Sequence, residues 1–195
     1  MTDITEARRA DYDIDLIYLK RWSPRSFLDK VIPDDILYSL FEAARWAPSA
    51  ANVQPWRFIV AKKEEDRKRF LAFINEGNTT WCSNAPVFVA VVSKVAEERF
   101  GGKNPSHAFD VGAAWGFFAL EATRKGLITH AMGGFNKNLA REALNVPNDY
   151  EIHAIIAVGY QGSKDSLNEA NQNREKPSGR RPVEDFTFEG VFLGE

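Results

Sequence analysis

Ala43-Ala44-Arg45-Trp46-Ala47-Pro48-Ser49-Ala50-Ala51-Asn52-Val53-Gln54-Pro55-Trp56-Arg57-Phe58 runs from the end of a helix, through small and amide residues, into a strand. Pro48 stops the helix, because proline brings no N–H to its ladder. Ser49, Ala50 and Ala51 are small enough for a planar ring to approach the backbone, and Asn52 and Gln54 offer donors and acceptors to its edge. A plain helix-to-strand connector with satisfied amides is the alternative. Two tryptophans and two prolines within this stretch argue against a loose linker.

Upstream, Pro33-Asp34-Asp35 marks a helix start, with the acids at the positive end of the dipole. Ile36, Leu37, Leu40, Phe41 and Ala44 then fall on one face. Further upstream, Ile14 to Leu19 suggests a short helix ending in the basic stretch Lys20-Arg21. Downstream, Arg57 to Ala61 reads as a strand and Lys62 to Phe73 as a surface helix. Pro86 to Val92 is a continuous apolar, β-branched run, as in a strand buried on both faces. Pro105 to Lys125 is the longest helix candidate, closed by Gly126. Asn136 to Leu144 gives a short helix and Ile152 to Val158 a second buried strand. The polar stretch Ser163 to Gly179 reads as a mobile loop, and Arg180 to Phe192 alternates like an extended arm. A single mixed α/β or α+β domain, 1–195, is expected, with a tail long enough to reach a neighbouring subunit.

With 25 basic and 27 acidic residues the formal charge is −2, so no basic surplus favours nucleic acid or an anionic membrane. Apolar residues make up 44% and aromatics 12%, enough for a substantial core. The lone cysteine, Cys82, allows no internal disulfide and suits a reducing cytoplasm. Met1 to Tyr12 lacks the apolar run of a secretory signal, and Ala85 to Val92 is too short to span a bilayer. A cytoplasmic protein is expected.

No G-x-S-x-G, H-E-x-x-H, Walker A, C-x-x-C or G-x-G-x-x-G pattern occurs. His107, His130 and His153 are scattered without ligand spacing, so no metal site is expected. Lys20-Arg21-Trp22-Ser23-Pro24-Arg25-Ser26-Phe27 is more informative. Two arginines flank a serine, and a guanidinium presents a rigid fork of donors that suits a phosphate. A solvated basic turn is the alternative.

In this order and at this separation, the two segments resemble the N-terminal signatures of the nitroreductase family: an arginine–serine–arginine turn, then A-P-S-x-x-N-x-Q-P-W before the first strand. Asn84-Ala85-Pro86-Val87, His107-x-x-Asp110-x-Gly112, Met132-Gly133-Gly134-Phe135, Ala157-Val158-Gly159-Tyr160 and Arg180-Arg181-Pro182 are similar to later landmarks, so the likeness spans roughly 14 to 190. The resemblance implies a central, mostly antiparallel sheet flanked by helices, a homodimer with an extended C-terminal arm, and FMN at the subunit interface.

Carried over, it implies that Arg21 and Ser23 hold the FMN phosphate and that Arg25 approaches the ribityl chain and pyrimidine edge. Trp22 would contribute through backbone and packing. Pro48, Ser49, Ala50, Asn52 and Gln54 would contact the ring from the opposite subunit. Gly133 and Gly134 would bring backbone N–H groups near flavin N5, Arg180 would return to the phosphate, and Asn78 would touch the ring edge. No protein catalytic group beyond the flavin is expected. The family's better-known branch often carries glutamate where this chain has Gly133, so that branch's substrates do not transfer.

The activity implied is electron transfer from NADH or NADPH, through the flavin, to a nitroaromatic, quinone or similar flat acceptor. The alternatives are enone reduction, dehalogenation or oxidation of a peptide-bound ring on the same fold, or a flavin-binding or redox-sensing protein without turnover. Trp56, Trp81, Trp115 and Phe135 are candidates for either core or acceptor pocket.

Overall fold

The computed structural model describes residues 7–192. Part of the polar stretch Met1 to Tyr12, residues 1–6, lies outside the described residues, as do 193–195 of the expected single domain.

Val87–Lys94 (β3) is the centre of the molecule. Every residue but the last is buried. Its backbone groups therefore bond sideways, antiparallel to Trp56–Ala61 (β2) on one edge and to Tyr150–Gln161 (β5) on the other. Ile128–Met132 (β4) pairs antiparallel with the far edge of β5, and Phe27–Leu28 (β1) pairs with β5 at Gln161 and Tyr160. The result is an antiparallel sheet with β2 and β4 outermost, in agreement with the architecture expected.

Alternation along β3 assigns the two faces. Phe88, Ala90 and Val92 join Ile155 and Ala157 in one cluster with Phe70, Phe73, Trp81, Met132 and Phe135. Val87, Val89 and Val91 join Ile156 and Val158 in the other, beneath Leu37, Leu40, Ala44, Val111, Ala114 and Phe118. The second layer is Asp34–Arg45 (α2) packed on His107–Arg124 (α5). Three layers explain why β3 and β5 read as continuous apolar runs rather than alternating ones.

Several expectations need correction. The helix expected from 62 to 73 is shorter, Glu64–Leu71 (α3), and is followed by an unforeseen helix, Glu76–Cys82 (α4). Gly77, Asn78, Thr79 and Thr80 are poor helix formers, and α4 is held by Trp81 and Cys82 in the core. The N-terminal helix is only Ile17–Lys20 (α1), and strands β1 and β4 were not expected. Lys137–Ala143 (α6) lies where a short helix was read.

The stretch 163–179 is not a free loop. It contains the helix Glu169–Arg174 (α7), capped by Asn168, with Leu167, Asn171 and Glu175 buried. Beyond it, 180–192 is irregular with one 3-10 turn, Val183–Asp185, and its Phe186, Phe188 and Phe192 are exposed. No strand forms there among the described residues.

The histidines that looked unrelated partly converge. The β3–β5 register slips between Val91 and Val92, opposite His153. Ser93 Oγ lies 2.8 Å from His107 Nδ1 and 2.6 Å from His153 Nε2, and Glu151 stands nearby. This joint fixes the start of α5 to the sheet.

Cys82 is sealed in the core, and burial pushes its thiol up to about 12. Phe118 is fully buried and meets Phe41 at 5.2 Å and Phe58 at 6.2 Å between ring centres. Phe118→Ala should therefore cost roughly 3–5 kcal/mol in urea unfolding. A loss under about 1 kcal/mol would show that the two-helix layer is not packed as described.

Candidate functional site

The turn after α1 meets the 173–180 segment around a cavity of about 450 Å³. Arg21, Trp22, Ser23, Arg25 and Arg180 all line it, so the structure brings together the three residues expected at the phosphate, Arg21, Ser23 and Arg180, with Trp22 and Arg25 beside them. Three more cationic side chains join them: Arg8, Arg174 and Lys176. Among the described residues no carboxylate lines the cavity. Arg21 is held below its usual range, first by burial and then by Arg180. Arg8 is lowered by burial, then by Arg180 and Arg21. Arginine stays protonated regardless, so these shifts express the cost of burying the charges first and like-charge repulsion second, and a bound anion would offset both. The Ser23 hydroxyl accepts from Arg21 Nη1 at 3.5 Å and keeps its own proton to donate.

Arg8 also has a structural task. Its guanidinium donates to the carbonyls of Leu19 (2.8 Å), Arg21 (2.6 Å) and Ser178 (2.9 Å), joining the start of the chain, the turn and the late segment. Its sequence neighbourhood, a charged terminus next to Arg9, gave no sign of this.

His130, on β4, forms the inner wall. Its Nδ1–H donates to the Pro24 carbonyl at 2.9 Å, and its ring lies 4.4 Å from the Trp81 ring. Burial, the largest effect, pushes its pKa down, with Arg25 adding to the shift. The shift favours the neutral ring, in which Nε2 is the acceptor. The Arg25 guanidinium lies 5.9 Å over the Trp81 ring and donates to the Arg174 carbonyl at 3.3 Å.

The expected N5 segment follows β4. A Cβ added to Gly133 would meet nothing within 4 Å, whereas one on Gly134 would come 2.8 Å from Asn78 Nδ2. Asn78 donates that amide to the Gly134 carbonyl at 3.1 Å, so it holds the glycine segment from behind. Trp56, Trp81 and Phe135 are buried in the core, and Trp115 is half-buried.

The ring-loop group is elsewhere. None of Pro48, Ser49, Ala50, Asn52 or Gln54 lines the arginine cavity. Their loop rests on the start of α5 instead, where Asp110 Oδ2 accepts from the Ala50 N–H at 3.2 Å. Arg99 Nη1 donates to the Ala51 carbonyl at 2.9 Å, and the Ser49 hydroxyl accepts from the Gln54 N–H at 3.0 Å. Ala51, Asn52 and Gln54 all have positive φ, at 48°, 56° and 52°. Such left-handed residues store on the order of 1–2 kcal/mol each, and they concentrate where a backbone is held for binding. One chain therefore does not bring the two expected groups of residues together.

The strain is measurable. Ala51→Gly should stabilise the protein by about 1 kcal/mol in urea unfolding, because glycine adopts positive φ without steric cost. Destabilisation by that variant would mean the loop is not held left-handed.

Comparison with known proteins agrees with this geometry. The family model described as "Nitroreductase family" matches residues 18–81 and 73–160. A solved structure of an oxidoreductase containing FMN superposes with a TM-score of 0.92 at 39% identity, covering 96% of this chain and 97% of that one. A Streptomyces coelicolor protein described as a candidate NADH dehydrogenase/NAD(P)H nitroreductase is 27% identical over 69% of this chain and 76% of its own length. Iodotyrosine deiodinase 1 of Sus scrofa is 27% identical over 72% of this chain and 58% of that longer protein. With its family model spanning both the arginine turn and the glycine segment, and its fold reproduced nearly end to end, this chain belongs to the nitroreductase family.

Proposed function

We propose that this protein is an FMN-dependent oxidoreductase that takes electrons from NADH or NADPH and gives them to a flat acceptor, a nitroaromatic or quinone. The observation that carries the reading is the cluster of Arg8, Arg21 and Arg180, like charges gathered in one cavity whose wall has no carboxylate among the described residues. A phosphate with nearly two negative charges suits that donor set. Likeness to an oxidoreductase containing FMN, at 39% identity, supports the same cofactor here.

Bound there, FMN would supply the redox chemistry, accepting hydride at N5 and passing electrons on. The chain's own residues bind and orient. Arg21, Arg180 and the Ser23 hydroxyl would hold the phosphate, and His130 Nε2 would accept from a ribityl hydroxyl. Arg25 would face the pyrimidine edge, where a fixed positive charge favours the anionic reduced ring. The Gly133 backbone, with open space before it, would face the ring.

We further propose a homodimer whose two copies complete each site, the Pro48–Gln54 loop of one facing the arginine cavity of the other. The separation of the half-sites within one chain supports this. So do the exposed aromatics Tyr38, Trp46, Phe109 and Phe117 on or beside α2 and α5. The segment 180–192, with its exposed phenylalanines, is the proposed arm across the partner. A cytoplasmic setting fits the single, sealed cysteine, and no helix among the described residues is long and apolar enough to cross a membrane.

Dehalogenation is the second reading, supported by likeness to the porcine deiodinase. Acceptor assays with nitroaromatics, quinones and halogenated phenols would separate the two.

The first test is an anaerobic absorbance spectrum of the purified protein before and after NADH or NADPH. A flavin band that bleaches with nicotinamide supports the proposal, and protein that neither carries nor takes up FMN overturns it. Arg21→Ala with Arg180→Ala should leave folded protein that binds FMN on the order of 100-fold or more weakly, since hydrogen bonds to charged groups contribute roughly 1.5–3 kcal/mol each. Sedimentation should show a dimer, and a fully active monomer would defeat the shared-site geometry.

A further inference from the structure

Glu175 lies between two cavity-lining cations, Arg174 and Lys176, yet it does not line the cavity itself. Its side chain turns inward and is buried beneath the turn that carries Arg25. Oε2 accepts from the Arg25 N–H at 2.8 Å, and Oε1 sits 3.0 Å from the same nitrogen. Oε1 also accepts from the Ser26 N–H at 3.0 Å and from the Ser26 hydroxyl at 2.8 Å. That hydroxyl lies 3.1 Å from the Gly162 carbonyl as well. A buried carboxylate is costly to hold unless every donor around it is aligned, and here two backbone N–H groups and a hydroxyl are.

The arrangement holds Arg25 at both ends. Glu175 grips its backbone, while the carbonyl of the preceding residue, Arg174, receives its Nη1. The Trp81 ring bounds the guanidinium on a third side. Two consecutive residues of the late segment thus set the root and the tip of one arginine.

We propose that Glu175 is a positioning residue for the flavin site, acting through Arg25: it fixes the direction from which that side chain enters the cavity. The inference rests on the FMN reading above and deepens it. It also gives the polar 163–179 stretch a task in binding rather than only in covering the body. Glutamine is a poor substitute. Its amide offers one acceptor oxygen, and its NH₂ would face the Arg25 N–H donor to donor.

A purely structural tie makes a different prediction, and a double-mutant cycle on FMN affinity separates the two. FMN would be titrated into full-length apoprotein, by quenching of flavin fluorescence, for wild type, Glu175→Gln, Arg25→Ala and the double variant. Thermal unfolding would be followed in parallel. Glu175→Gln should weaken FMN binding about 10-fold, as expected for disturbing one charge-assisted contact. In the Arg25→Ala background the same change should cost under about 2-fold, because its route to the flavin is gone. Effects that multiply, or a single variant within about 2-fold of wild type, overturn the proposal. If Glu175→Gln does not fold, Ser26→Ala removes one donor and keeps the charge. It should weaken binding about 3-fold and show the same dependence on Arg25. Wild-type apoprotein that fails to bind FMN at all overturns the cavity reading itself, and the role of Glu175 with it.

Discussion

A strand that is dry on both faces can satisfy its peptide groups only along its edges, and β3 is such a strand. That requirement places β2 and β5 beside it, and the two apolar faces then call for a layer on each side. One layer is the α2–α5 pair. The other is assembled from α3, α4 and the segment around Phe135. The positions of the functional segments follow. β4 adds to β5, which delivers His130 to the arginine cavity. The loop 48–54 must bridge from the outer layer down to β2, so it emerges over the start of α5.

Charge and strain divide the proposed site between them. The arginine half is electrostatically unfavourable on its own, since Arg8 and Arg21 are lowered first by burial and then by the charge of Arg180, with no carboxylate in the wall among the described residues. The ring-loop half is conformationally unfavourable, with positive φ at Ala51, Asn52 and Gln54. Both costs are the kind that a ligand or partner offsets on binding. Neither half contributes much to the stability of the isolated chain, which comes from the layers around β3.

The residues that were readable from sequence share a short range. The helix start at Pro33-Asp34, the buried runs of β3 and β5, and the arginine turn each depend on neighbours within a few positions. Arg21, Ser23, Arg25 and Arg180, singled out by guanidinium chemistry together with the family resemblance, all line one cavity. Arg8, His130, Arg174, Lys176 and Glu175 were missed. Their roles depend on partners far along the chain, as when Arg8 meets Ser178 and Glu175 meets Arg25. The charges of Asn173 to Lys176 looked like solvation because a carboxylate satisfied by backbone N–H groups leaves no pattern in composition. Likewise α4 is imposed by burial against its own propensity, and the pairing of His107 with His153 requires a register slip that no spacing records.

The bonds of Arg8 to Leu19, Arg21 and Ser178 close the chain on itself, since residues 170 positions apart share one guanidinium. The segments around Arg8 and Ser178 are therefore not independent of each other but form one clasp. Opening it releases both, and protease sensitivity near either end then reports on the same event. A ligand that tightens the cavity tightens the clasp.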